Sequence, residues 1–146
     1  MKFENKVVII TGAARGLGQE YARQFARRGA RVVVCDIRDC SETLALIKEE
    51  GAAGLSVKTD VTSASSTVKM AEAAIDEFGG VDVLINNAAL YGSLKFAPLE
   101  QLDEAEWDAA MNVNVKGIWQ CTKAVLPSMK ERGGGAIVNI SALAAT

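Results

Sequence analysis

Val7-Val8-Ile9-Ile10-Thr11-Gly12-Ala13-Ala14-Arg15-Gly16-Leu17-Gly18 runs from an apolar stretch into three spaced glycines. A strand that enters such a turn and leaves it as a helix makes a phosphate cradle. Glycine turns tightly and puts no Cβ between the backbone amides and a pyrophosphate. The helix start adds unpaired N–H groups and a partial positive charge. Glycine-rich turns also occur where nothing binds, so context decides the reading. After Gly18 the apolar residues Tyr21, Ala22, Phe25 and Ala26 recur at helical spacing, and Arg27-Arg28-Gly29 ends them.

A second apolar run, Val32-Val33-Val34-Cys35, ends in Asp36. A carboxylate there, about 20 residues past the glycines, can accept hydrogen bonds from both hydroxyls of an adenosine ribose. It repels a 2′-phosphate, so NAD(H) is expected over NADP(H). Arg15 and Arg38 pull the other way, since either could meet that phosphate. The plainer alternative is an ordinary acid at a strand end.

The 146 residues allow one domain, 1–146, and a core burying roughly 70% of the unfolded surface. With 49% apolar residues the chain is not of disordered composition. Its net charge of −2 offers no electrostatic case for nucleic acid or a membrane surface. The apolar runs are too short to span a bilayer, and Met1-Lys2-Phe3-Glu4-Asn5-Lys6 has no signal-peptide pattern. Cys35, Cys40 and Cys121 lack metal-type spacing and read as reduced thiols in a cytoplasmic protein; no metal is expected. There is no histidine, so acid–base chemistry must use other groups.

The alternation continues. Helices are expected over Cys40–Glu50, along Val68, Ala71, Ile75 and Phe78, and along Met111, Val115, Ile118, Thr122, Val125 and Met129. Strands are expected at Leu55–Lys58, Val81–Ile85 and Ala136–Ile140, and a loop at Tyr91–Glu100. Alternating strands and helices imply a parallel, doubly wound sheet covered on both faces. Such sheets place ligands outside the carboxyl ends of their strands. Thr11, Asp36, Asp60, Asn86 and Ser141 all fall at or just after strand ends.

From about Lys6 onward the chain resembles the short-chain dehydrogenase/reductase family, classical type, in its cofactor-binding portion. Thr11 to Gly18 is similar to Thr-Gly-x-x-x-Gly-x-Gly, and Asp60-Val61 to the pair whose carboxylate meets the adenine amine. Asn86-Asn87-Ala88-Ala89 resembles Asn-Asn-Ala-Gly, with Ala89 replacing the glycine. Asn114-Val115-Lys116-Gly117 resembles Asn-Val-x-Gly, and Ile137-Val138-Asn139-Ile140-Ser141 the strand before the catalytic serine. The resemblance implies a Rossmann-type, three-layer α/β/α fold with strand order 3-2-1-4-5, lacking the family's C-terminal elements. It implies cofactor contacts from Gly12, Arg15, Gly16, Leu17, Gly18, Asp36, Ile37, Asp60, Val61, Asn87, Ala88 and Ala89. Asn86 is expected to tie strand ends together. Ala89 is expected to rearrange the site slightly, since alanine tolerates positive φ poorly.

The implied chemistry is hydride transfer between a nicotinamide and a secondary alcohol or ketone, in a homo-oligomer (tetramer or dimer). Asn114 is expected to be buried, to distort its helix and to hold a water in a proton relay. A core asparagine that only fixes local backbone is the alternative. The implied Tyr-x-x-x-Lys pair lies downstream of the serine strand, after Thr146. Tyr21 reads as helix core and Tyr91 as a substrate-pocket wall within Tyr91–Phe96. The family's Asn-Ile-Ser-Ser register puts Ala142 at the catalytic serine position; a one-residue bulge would put Ser141 there. Either the chain is a truncated part of an enzyme, which the open far edge of the fifth strand favours, or it is a short non-catalytic nucleotide-binding module. An interaction protein with an empty glycine loop is a third possibility.

Overall fold

The computed structural model describes residues 2–92 and 94–142. Val7–Thr11 forms β1, five buried residues in a row at the middle of a five-stranded parallel sheet. Its β-branched run can be buried throughout because layers cover both faces. Val7 and Ile9 enter one core and Val8 and Ile10 the other, as strand alternation requires. After β1 come α1 (Gly16–Arg27), β2 (Arg31–Asp36), α2 (Ser41–Glu49), β3 (Gly54–Lys58), α3 (Ala64–Phe78) and β4 (Val83–Asn86). A 3₁₀ turn (Leu99–Gln101), α4 (Glu104–Met111), a π-helical segment (Asn112–Lys116), α5 (Gly117–Glu131) and β5 (Ala136–Asn139) complete the described chain.

The sheet order is β3-β2-β1-β4-β5, every neighbouring pair parallel. Helices α1 and α2 supply Ala22, Ala26 and Ile47 to one core. Helices α3 and α5 supply Met70, Ala74, Cys121 and Val125 to the other. This is the expected Rossmann-type α/β/α sandwich. Local signals set the ends: Ser63 Oγ accepts the Ser66 N–H at the start of α3, and Gly79 closes that helix in the left-handed conformation, φ 87°. Among the described residues no helix is long and apolar enough to cross a membrane.

The long helix corrects one expectation. Val125 and Met129 are buried, but Met111 and Val115 stand 42% and 55% exposed. The Gly117 N–H reaches Asn112 O, a π-type bond, which sets the helix out of phase with a continuous 3.6-residue period. The face turned inward therefore runs Val113, Gly117, Cys121, Val125 and Met129. It is narrow where it meets α3's approach: a Cβ on Gly117 would sit 2.7 Å from Val61 Cγ2.

Two polar links hold the sheet at opposite ends. At the amino ends, Asp82 accepts the Val7 N–H at 2.8 Å and pairs with Arg132, whose Nε and Nη2 donate at 3.0 and 3.1 Å. At the carboxyl ends, Thr11 Oγ1 accepts the N–H groups of Asn87 and Ala88 at 3.1 and 3.0 Å. Burial pushes the Asp82 carboxyl up, but Arg132 and the Val7 N–H together hold it below its ordinary value.

A folded value below the unfolded one means that the Asp82 contribution is fully present above about pH 4 and lost as pH falls through the lower value. Asp82→Asn should therefore flatten the acid limb of a stability-versus-pH profile measured by urea unfolding. Thr11→Val, which strands two N–H groups, should cost about 1–3 kcal/mol in the same assay, and Thr11→Ser clearly less.

Candidate functional site

Outside the carboxyl ends of the strands lies a cavity of about 550 Å³. Gly12, Arg15, Gly16 and Leu17 form one wall, Asp36, Ile37 and Arg38 a second, and Thr59, Asp60 and Val61 a third. Asn87, Ala88, Ala89 and the following loop to Gly92 close the fourth. Eleven of the residues expected to meet a cofactor thus share one cavity; Gly18, Asn114 and Ser141 do not line it.

Gly18 is nearby for a different reason. A Cβ on it would run into the carbonyl oxygen of Gly12, so this glycine lets α1 sit against β1's turn. Gly12 has φ +65°, and its Cβ would stand 2.8 Å from Ala88 Cα. At Gly16, φ +60°, an added Cβ would meet no protein atom within 4 Å. The space beside the helix start is therefore open to a ligand. No side chain caps the start of α1, and its first turn carries no acid. Its first N–H groups thus keep their donors and the positive end of the helix dipole for an anion.

Asp36 is 8% exposed and closes β2. Its Oδ2 accepts the Ala14 N–H and its Oδ1 the Arg38 N–H, each at 3.0 Å. Each oxygen retains acceptor capacity, since a carboxylate offers about four lone-pair sites. Asp60 is exposed; its Oδ1 accepts from the Thr62 N–H and hydroxyl at 2.9 and 2.7 Å. It is not the cap of α3, a role held by Ser63.

Asn86 Nδ2 donates to Asn139 Oδ1 at 2.9 Å, joining the ends of β4 and β5 as expected. Asn87 Nδ2 donates to the carbonyls of Thr11 and Gly12 at 3.2 and 3.1 Å. Ala89 does not adopt positive φ; among the described non-glycine residues only Asn5 does. The rearrangement expected from losing a glycine is therefore not a matter of backbone strain.

Asn114 sits in the π segment and is half-buried rather than fully buried. Its Oδ1 accepts the Leu90 N–H at 2.7 Å, and its Nδ2 donates to Leu90 O at 3.0 Å. The amide thereby ties the loop after β4, which lines the cavity, to the distorted helix. Ser141 and Ala142 follow β5 and are both exposed. Tyr91 lines the cavity as a wall; the Tyr91–Phe96 segment includes Ser93, which lies outside the described residues. Tyr91 and Lys95 happen to have Tyr-x-x-x-Lys spacing, but both are exposed loop residues, so that spacing does not stack them on one helix face.

Thr59 and Val113 line the cavity without any motif that announces them. Thr59 donates its N–H to Asp36 O at 3.0 Å, a contact between strand ends that no local pattern encodes. Cys35 also lies at the cavity floor, where burial pushes its thiol far up, away from thiolate chemistry. Among the described residues no group of three candidate ligands could hold a metal ion.

A family profile described as short chain dehydrogenase matches residues 6–146. An uncharacterized oxidoreductase of Mycobacterium tuberculosis (strain ATCC 25618 / H37Rv) is 44% identical over 145 residues, 98% of this chain and 58% of that protein. Galactitol 2-dehydrogenase of Agrobacterium fabrum is 38% identical over 145 residues, 99% of this chain and 55% of that one. The crystal structure of NAD+-bound xylitol dehydrogenase is similar with a TM-score of 0.88 at 30% identity, over 95% of this chain and 54% of that chain. The chain thus spans just over half the length of these proteins.

Asn114→Ala should release the Leu90 backbone. Amide hydrogen exchange at Leu90 is expected to quicken by about tenfold or more. An unchanged rate there would mean that other contacts hold the loop.

Proposed function

The chain belongs to the short-chain dehydrogenase family, and on that premise we propose that it is the cofactor-binding part of an NAD-dependent oxidoreductase. The observation that carries the reading is one cavity shared by an uncapped helix start and a strand-end carboxylate. The first suits a pyrophosphate and the second a ribose diol.

The residues present fit the adenosine, pyrophosphate and second-ribose parts of such a cofactor. Gly12, Arg15, Gly16 and Leu17 would hold the pyrophosphate, with Gly18 permitting the close approach of α1. Asp36 would accept from the adenosine ribose, and Ile37, 62% exposed, offers an apolar surface beside it for the base. Asp60 would accept from the adenine amine and Val61 would pack beneath it. Asn87, Ala88 and Ala89 would line the second ribose. NAD is favoured over NADP because a 2′-phosphate would approach the Asp36 carboxylate. The similarity to an NAD+-bound dehydrogenase supports the same choice. Arg15 and Arg38 stand at the cavity but do not displace Asp36 from it.

The bound nicotinamide supplies hydride exchange with a secondary alcohol or ketone. Of this chain's own residues, Asn114 contributes by ordering the Leu90 loop and, through its distorted helix, offering a site for a relay water. Ser141 would place a hydroxyl near the substrate oxygen if a bulge shifts the register, with Ala142 there otherwise. Tyr91 would form part of the substrate wall. The homo-oligomer reading is supported by exposed apolar residues along α4, the π segment and the start of α5: Trp107, Met111, Val115 and Trp119. Three free, buried cysteines suit a reducing, cytoplasmic setting.

Fluorescence titration with NADH tests the reading: saturable binding is expected. Gly12→Val should reduce affinity by about a hundredfold or more, since the backbone there has no room for a side chain. Asp36→Ala should weaken NADH by about tenfold and improve NADPH. Unchanged nucleotide preference in Asp36→Ala would remove the ribose role from that residue.

A further inference from the structure

The peptide between Ala13 and Ala14 lies behind the cavity wall, between the glycine turn and Asp36. Its N–H, on Ala14, donates to Asp36 Oδ2 at 3.0 Å. Its carbonyl, on Ala13, accepts from Thr43 Oγ1 at 2.7 Å. A trans peptide holds these groups on opposite edges of one rigid plane, so fixing the carbonyl aims the N–H. Thr43 comes from α2 and is 0% exposed. Its oxygen accepts from Gln19 Nε2 at 3.1 Å, and the same nitrogen donates to Ala14 O at 3.3 Å. The Ala13 N–H reaches Cys35 O at 3.2 Å. Every backbone polar group of Ala13 and Ala14 is thus bonded, to α1, α2 or β2.

The consequence falls on Asp36. Its two oxygens are each engaged by one backbone N–H, from Ala14 and Arg38. Those bonds decide which lone pairs remain for the cavity. The Arg38 bond is local, two residues away. The Ala14 bond depends on a peptide whose rotation is set from outside the cavity by a buried hydroxyl. A valine would fill the Thr43 site as well, so packing alone does not call for that hydroxyl.

We infer that Thr43, backed by Gln19, is a positioning residue for nucleotide specificity: by aiming the Ala14 N–H it orients the Asp36 carboxylate toward an unphosphorylated ribose diol. The inference rests on the cavity being the NAD site. It goes beyond that reading in giving α2, which does not touch the cavity, a part in cofactor choice.

NADH titration of the wild type, Thr43→Val, Thr43→Ser and Gln19→Leu tests it, with NADPH titration of Asp36→Ala carrying and lacking Thr43→Val. Thr43→Val is expected to weaken NADH about tenfold, the net worth of a well-made hydrogen bond, with Thr43→Ser restoring wild-type affinity within about twofold. Gln19→Leu should weaken NADH by about threefold, and it keeps the measurement available if Thr43→Val does not fold. In the Asp36→Ala background, where there is no carboxylate to orient, Thr43→Val should leave NADPH affinity within about twofold. Undiminished NADH affinity in both Thr43→Val and Gln19→Leu, or an equal loss without Asp36, overturns the inference while the NAD site stands. Failure of the wild type to bind either nucleotide overturns the NAD reading, and this inference with it.

Discussion

One hydroxyl holds the two central strand ends together. Thr11 Oγ1 accepts the N–H groups of Asn87 and Ala88 just beyond β4, and the Asn87 side chain returns two bonds to the carbonyls of Thr11 and Gly12. Parallel strands diverge after their last ladder bond, and their backbone groups there would otherwise need water. This reciprocal clamp satisfies them with protein groups and fixes the separation of two cavity walls. It also explains why Gly12 has no room for a Cβ: Ala88 is drawn up against it. The shape of the site follows from a requirement of the backbone, before any ligand is considered.

Around this clamp the charges are sorted by position. The open start of α1 leaves its donors and dipole facing one part of the cavity. Asp36 stands at the end of the neighbouring strand, its carboxylate held by two N–H groups. A ligand with an anionic centre would find donors at the first place, and one with a diol would find an acceptor at the second. The polarity is produced by sheet topology, since parallel strands bring all their carboxyl ends, and the starts of the helices that follow, to one edge.

The π segment shows where periodicity misleads. Met111, Val115 and Ile118 have the spacing of a helix face, and that face is largely solvent-exposed. The buried face of the same helix begins at Gly117, where Val61 leaves no room for a Cβ, and continues through Cys121, Val125 and Met129. A hydrophobic pattern states that a helix has an apolar side; it does not state which neighbour is near. Asn114 was legible as a residue that must find partners. Its partners, the N–H and carbonyl of Leu90, lie 24 positions away and carry no sequence mark.

By itself the sequence determined the alternation of strands and helices, the strand order through its family pattern, and the polar residues at strand ends. The alternation and the strand-end residues are local, since side-chain branching, glycine spacing and apolar period each act within a few residues, whereas the strand order comes only through the family resemblance. Tertiary structure alone decided that Gly18 serves packing, that Ala89 needs no left-handed backbone, and that Thr59 and Val113 join the cavity. It alone aligned the Ala13–Ala14 peptide between Thr43 and Asp36. The reason is the same in each case. Orientation and proximity arise from contacts between segments distant in the chain, and a hydrogen bond becomes specific only when both of its ends have been placed.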